Sequence, residues 1–195
     1  EGNTVFRNKT LAKEMPFSES GEVREELVQD AVRKITTLYY TKGYVSVQVA
    51  PVVSEKDGGI VEVTFFIFEG PGVTVGAMHF PGMTLTEKNL KEVLPLKEGD
   101  DYNPDLLSST VDVVREFYIA LGYLGVEVES PAVTIRDDLA AITIAVREGP
   151  KTLISRISIS GATVVPEDEI RKALKVKEGD PYNAVDISDA RLRVV

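Results

Sequence analysis

Lys97-Glu98-Gly99-Asp100-Asp101-Tyr102-Asn103 returns 80 residues later as Lys177-Glu178-Gly179-Asp180-Pro181-Tyr182-Asn183. Working outward, Gly43-Tyr44 returns as Gly122-Tyr123 and Glu69-Gly70-Pro71 as Glu148-Gly149-Pro150, each at an offset of 79. Gly2, Gly82 and Gly161 stand eight or nine residues ahead of the apolar positions Leu11, Leu90 and Ile170. One such match is within chance; the same order at the same offset is not, and a repeat decides the architecture before any local element does. The reading is a tandem array: 1–71 lacks a first strand, 72–150 is complete, and 151–195 supplies a first strand and helices only. Both ends therefore read as cuts within a longer string of modules. A period near 80 is long enough for a small domain with its own core, not for a solenoid unit. The joints are short: only Glu69-Gly70-Pro71-Gly72 separates one strand from the next, and Glu148-Gly149-Pro150 stands in the same place. Proline in so short a joint restricts the angle between neighbours.

Residues 72–150 give the order of elements. Val73–Phe80 is β-rich and ends at the Pro81-Gly82 turn signal, and Ile154–Ile159 alternates as a half-buried strand should. Thr84 or Thr86 can cap a short helix reaching about Val93, which Pro95 stops. Asn103 then caps a second helix with Pro104 and Asp105 in its first turn. Leu107, Val111, Val114 and Tyr118 form one apolar stripe, as do Val28, Val32, Ile35 and Tyr39 in the first copy. Gly122 and Gly43 end those helices. Strands over about Tyr123–Ile135 and Leu139–Arg147 follow, joined by Arg136-Asp137-Asp138 as a hairpin; Lys56-Asp57-Gly58-Gly59 is the counterpart. The fold class is α+β: tandem β-α-α-β-β modules, each a three-stranded mixed sheet with two helices on one face.

Proline identifies the outermost strand. Pro51 and Pro131 lie in the first strand of each hairpin, and proline cannot donate to a central ladder, so that strand is an edge. The alternating runs before it, Tyr44-Val45-Ser46-Val47-Gln48-Val49 and Tyr123-Leu124-Gly125-Val126-Glu127-Val128, are where an extended peptide could add as a further strand.

Other functions find little purchase. The chain has no cysteine, so thiolate nucleophiles, thiolate metal sites and disulfides are excluded. A net charge of −9 without a basic stripe argues against nucleic acid. No apolar run reaches the ~20 residues of a membrane helix, and residues 1–25 lack a signal-peptide pattern, so the visible chain reads as soluble and unexported or already processed. His79, the single histidine, reads as an exposed strand residue between inward positions. Asp101, Asn103, Asp105 and Asp112 imitate a calcium loop, but Leu106 stands where glycine is required and Pro104 starts a helix. Gly122-Tyr123-Leu124-Gly125 lacks the basic groove of an RNA-binding loop, and Gly70, Gly72 and Gly76 precede a strand, against a dinucleotide fingerprint. Tyr44 and Tyr123 fit a peptide-facing role and a packing role equally. Glu69 and Glu148 read as hinge carboxylates bonded to local backbone. No catalytic residue, metal or cofactor is expected.

The pattern resembles the POTRA (polypeptide-transport-associated) domains of outer-membrane assembly proteins of the BamA and TamA type. The resemblance rests on the glycine turn after the first strand and on the lysine-glutamate-glycine-aspartate turn with Tyr-Asn before the second helix. It rests also on the helix ends Tyr39 to Gly43-Tyr44 and Tyr118 to Gly122-Tyr123, and on the closing Phe68-Glu69-Gly70-Pro71 and Val146-Arg147-Glu148-Gly149-Pro150. It spans the whole chain. What it implies is a periplasmic location ahead of a membrane β-barrel not present here, and contact with unfolded outer-membrane proteins or accessory assembly proteins. It also implies peptide contact at Tyr44–Val49 and Tyr123–Val128 and the groove beside the second helix.

The expectation is a non-enzymatic scaffold that holds unfolded substrate strands by β-augmentation at module edges. The alternative is a structural spacer or docking arm for folded accessory proteins of a secretion or cell-division complex.

Overall fold

The computed structural model describes residues 1–15, 23–57, 60–85 and 87–194. Thr86, one of the two proposed caps, and Gly58-Gly59 of the first hairpin lie outside the described residues. The chain divides into two compact units: Glu1–Met78 with Leu96–Leu107 and Val133–Ile142, and His79–Pro95 with Ser108–Ala132 and Thr143–Val195. The division runs through the second repeat.

In the first unit, helices α1 (Asn8–Lys13) and α2 (Glu25–Tyr40) cover a hairpin of β1 (Gln48–Lys56) and β2 (Ile60–Phe68). Leu11, Val28, Ala31, Ile35 and Tyr39 meet Val47, Phe65 and Ile67 in one buried cluster. The stripe on α2 is centred one residue from its expected place: Ala31 is buried and Val32 only partly so. A small residue at the centre lets helix and sheet approach closely. The antiparallel ladder runs from Gln48 opposite Phe68 to Lys56 opposite Ile60. Glu1 lies along the other side of β2, where its backbone nitrogen donates to the Phe65 carbonyl (2.6 Å) and its carbonyl accepts from the Ile67 N–H (2.8 Å).

The same unit holds most of a three-stranded sheet in the order β3 (Thr74–His79), β6 (Leu139–Thr143), β5 (Ala132–Arg136). Thr74 N–H donates to the Asp138 carbonyl, and Ile144 N–H to the His79 carbonyl, both at 2.9 Å; the numbers rise together, so β3 and β6 are parallel. β5 and β6 are joined by Asp137-Asp138, both in the left-handed region (φ 50° and 61°), as a two-residue type I′ hairpin requires. The sheet is therefore mixed.

The motif that announced the repeat is a splice between β3 and helix α4 (Pro104–Ala120). The Glu98 carboxylate accepts from the Met78 N–H (3.0 Å), and Gly99 N–H donates to the Val75 carbonyl (2.8 Å). Asp100 closes the turn onto the Lys97 N–H (2.8 Å), and Tyr102 N–H donates to the Val73 carbonyl (2.8 Å). Asn103 caps α4 through its Oδ1, which accepts from the N–H groups of Asp105 (2.9 Å) and Leu106 (3.3 Å). The pieces of the calcium-like pattern are thus bound elsewhere: Asn103 in this cap and Asp112 to Arg115 (2.8 Å).

The second unit holds helix α3 (Glu87–Val93), the short pair β4 (Glu127–Val128) with β7 (Val146–Arg147), and helices α5 (Glu167–Leu174) and α6 (Ala184–Val194). The splice recurs bond for bond: Ile157 N–H to Glu178 (2.9 Å), Gly179 N–H to the Ile154 carbonyl (2.8 Å), Tyr182 N–H to the Thr152 carbonyl (2.9 Å), and Asn183 on the Val185 N–H (2.9 Å). One expectation is corrected. Among the described residues Ile154–Ile159 forms no strand, only a bridge of Leu153 to Pro181. A strand is stabilised by its ladder, and the hairpin that pairs β3 in the second repeat has no counterpart in residues 160–195.

Candidate functional site

The edge strands lie where the prolines put them. Phe65 and Ile67 turn their backbone groups toward Glu1, away from β1. Pro51 and Val49, directly opposite them, must then turn theirs outward. Alternation carries this to Val53 and Glu55. In the second repeat Asp138 and Ile144 face β3, so the even-numbered residues of β6 do. Beyond the two-residue turn, Ile135 lies across from Ala140 and Val133 from Ile142, and both face outward. Pro51, Val53 and Glu55 thus match Pro131, Val133 and Ile135 at an offset of 80. Each proline sits where its missing N–H costs no ladder bond.

This edge only partly coincides with the predicted residues. β1 begins at Gln48 and β4 at Glu127, so Tyr44, Val45, Ser46 and Val47, like Tyr123, Leu124, Gly125 and Val126, precede the strands. The helix end consumes them. Tyr44 N–H donates to the Tyr39 carbonyl (3.1 Å) and Val47 N–H to that of Tyr44 (3.3 Å); Tyr123 and Val126 repeat this at 3.0 and 3.2 Å. Gln48, Val49, Glu127 and Val128 are strand residues, and the open run continues past the proline.

The tyrosines pack inward. Tyr44 stands edge-on to Tyr39 (ring centroids 6.0 Å apart) and Tyr123 to Tyr118 (5.6 Å), and the Lys151 ammonium lies over the Tyr123 ring at 5.6 Å. At the joints the Gly43 carbonyl accepts from Val73 N–H (2.9 Å) and the Gly122 carbonyl from Thr152 N–H (2.8 Å). A Cβ on Gly43, at φ +77°, would stand 2.3 Å from the Val73 oxygen, so only glycine fits. Gly70 and Gly149 back onto Ser46 and Gly125, and Gly72 lies against the Tyr44 ring. Pro71 and Pro150 complete the joints.

Beside each joint is a cluster that the sequence reading missed. The Glu69 carboxylate accepts from the N–H groups of Thr4 (2.7 Å) and Val5 (2.9 Å), the Thr4 hydroxyl and the Tyr39 hydroxyl (2.7 Å). Glu148 accepts from the N–H and the hydroxyl of Thr84 (both 2.6 Å) and from the Tyr118 hydroxyl (2.9 Å). These carboxylates tie the end of the hairpin to the glycine turn and the second helix. The backbone they bind is 64 or 65 residues away, and the Thr84 hydroxyl donates to this clasp. Burial alone would raise the Glu69 carboxyl, but the hydrogen bonds from Thr4, Tyr39 and Val5 outweigh it and hold it at about 2. Glu148 is lowered in the same way. Burial, with the adjacent carboxylate, pushes the Tyr39 and Tyr118 hydroxyls up. The signal was present as Gly-x-Thr at 2–4, 82–84 and 161–163. His79 is exposed between buried Met78 and Phe80, as its position in the alternation implied.

The family model POTRA, described as surface antigen variable number repeat, matches residues 1–70, 73–149 and 152–194. The chain is 23% identical over 201 residues to the outer membrane protein assembly factor BamA of Nitratidesulfovibrio vulgaris, covering 96% of this chain and 25% of that protein. The factor of the same name from Neisseria meningitidis is 23% identical, with 93% and 25% covered. The chain thus spans about a quarter of the length of these relatives. Among solved structures, POTRA domains 3–5 of Haemophilus influenzae BamA superpose with a TM-score of 0.54 at 19% identity, covering 100% of this chain and 81% of theirs. Haemophilus ducreyi BamA lacking POTRA domains 1–3 gives a TM-score of 0.55 at 18% identity, with 79% and 28% covered.

Proposed function

The chain belongs to the POTRA family, and we propose that it is the polypeptide-binding part of a periplasmic scaffold for outer-membrane protein assembly or translocation. It works without enzymatic chemistry, as three modules (1–71, 72–150 and 151–195), and the parent protein carries a membrane β-barrel beyond this chain. Its ligands are unfolded outer-membrane proteins, with accessory assembly proteins as further partners, and strands add at the edges of β1 and β5. The observation that carries this reading is the outward turn of Val53 and Glu55, and of Val133 and Ile135, behind prolines at matching positions. Backbone hydrogen bonds at such an edge are tolerant of sequence, as a carrier of many substrates needs. Several weak edges on one chain gain from effective concentration.

The test is amide chemical-shift mapping of the 195-residue chain titrated with an alternating β-strand peptide. Saturable shifts at Val49–Lys56 and Ala132–Arg136 are expected. The substitutions Val53→Pro and Val133→Pro, which remove an outward donor and no internal ladder bond, should abolish the shifts at their own edges. Absence of shifts at about 1 mM peptide, a weak-binding limit near −4 kcal/mol, would reject strand addition in favour of a docking arm.

A further inference from the structure

The two edges differ in what stands behind them. Residues paired directly across β1 and β2 share a face, so Gln48 and Phe68, Ala50 and Phe66, and Val52 and Thr64 lie together. Their face is the one turned away from the helices, because Phe65 and Ile67 point into the core. Phe66 is 46%, Val52 49% and Phe68 70% exposed, an apolar patch among the described residues. At the matching places of the second repeat stand Ala145 and Arg147, and Arg147 is ion-paired to Glu127 (3.3 Å) and Glu129 (2.7 Å). At these two places the first repeat carries phenylalanines and the second an alanine and an ion-paired arginine.

The patch is continuous with the β1 edge. A strand added there lies ~4.8 Å beyond β1, with its own outer side chains beside Ala50 and Val52. Ala50 is small, and together with Gln48, Phe66, Ile67 and Phe68 it lines a cavity of about 370 Å³ that extends to Glu1 and Gly2 across β2. A large apolar side chain on the added strand can reach across Ala50 to the Phe66 ring. On this basis, and resting on the strand-addition reading above, we propose that the first-repeat edge selects strands carrying large apolar side chains on the face turned away from the helices. Phe66 and Phe68 are its specificity-determining residues, while the β5 edge is indifferent to that face.

Two synthetic peptides of equal length decide it, both with valine on the helix-side face and with either leucine or serine on the other. Titrated against the full chain, the leucine peptide is expected to bind the β1 edge about tenfold more tightly, as two or three cross-strand contacts would give. At β5 the two should bind alike. The exposed double substitution Phe66→Ser, Phe68→Ser should erase the preference while amide spectra report an intact fold. Equal affinities at β1, unchanged by the substitution, would overturn the selectivity and leave strand addition standing. If neither peptide shifts β1, both ideas fail. Concentration-dependent shifts at Phe66 and Phe68 without peptide would assign the face to a second copy of the chain and also overturn the proposal.

Discussion

Glu69 and Glu148 each receive hydrogen bonds from a threonine hydroxyl, a threonine N–H and a tyrosine hydroxyl, at positions offset by 79 or 80 residues. Donors aimed at one carboxylate favour its charged form, and for Glu69 these three with the Val5 N–H outweigh burial and carry the carboxyl from the ordinary 4.5 to about 2. The folded chain therefore binds this proton more weakly than the unfolded chain. The contribution of the clasp is complete above about 4.5 and is lost as pH falls toward about 2. Urea midpoints measured between pH 5 and pH 2.5 should fall with acidification, and Glu69→Gln should flatten that fall; an unchanged slope would deny the clasp its role. Tyr118 is fully buried, and Tyr118→Phe deletes its hydroxyl while keeping the ring in the core. It should cost about 1.5–3 kcal/mol, as a hydrogen bond to a charged acceptor does, read from the same denaturation curves at pH 7.

The hairpin of the second repeat turns on two aspartates in the left-handed region, where glycine is free of the Cβ penalty. Asp138→Gly should therefore raise stability by about 0.5 kcal/mol and Asp138→Val lower it by about 1 kcal/mol, measured by thermal unfolding; the opposite order would mean the turn is not type I′. Such elements were legible because their causes are local. Asn103 and Asn183 cap the second helices, and the 3.6-residue stripes placed Leu107, Val114 and Tyr118 in the interior. Pro51 and Pro131 marked the edges because a missing N–H is tolerated only there. The onset of those strands was not legible: Tyr44–Val49 alternates like a strand, yet bonding back to the helix end consumes its first four residues. Ile154–Ile159 alternates too, but among the described residues it has no ladder partner. The Glu–Thr–Tyr clasp joins residues 30 and 65 positions apart, beyond the reach of any local pattern.

Across the whole chain, the repeat is also a repeat of joints. The same carbonyl, at the glycine ending the second helix, receives the second N–H of the next module at both places: Gly43 from Val73 and Gly122 from Thr152. Because Tyr39 and Tyr118 fasten the helix ends to the clasps, strain introduced at these glycines has one soft outlet, the segment that opens the next repeat. Gly43→Ala drives a Cβ to 2.3 Å from the Val73 oxygen, so that bond must open. Hydrogen exchange should then show the Val73 amide losing protection while the amide of Ile35, inside α2, keeps its own. Equal loss at both would mean that the helix yields and the joint is not a separate element. At the second joint the clash is milder, 2.8 Å to the Thr152 oxygen. Gly122→Ala should therefore deprotect Thr152 less than Gly43→Ala deprotects Val73, and a reversed order would show that these carbonyl contacts do not hold the modules together.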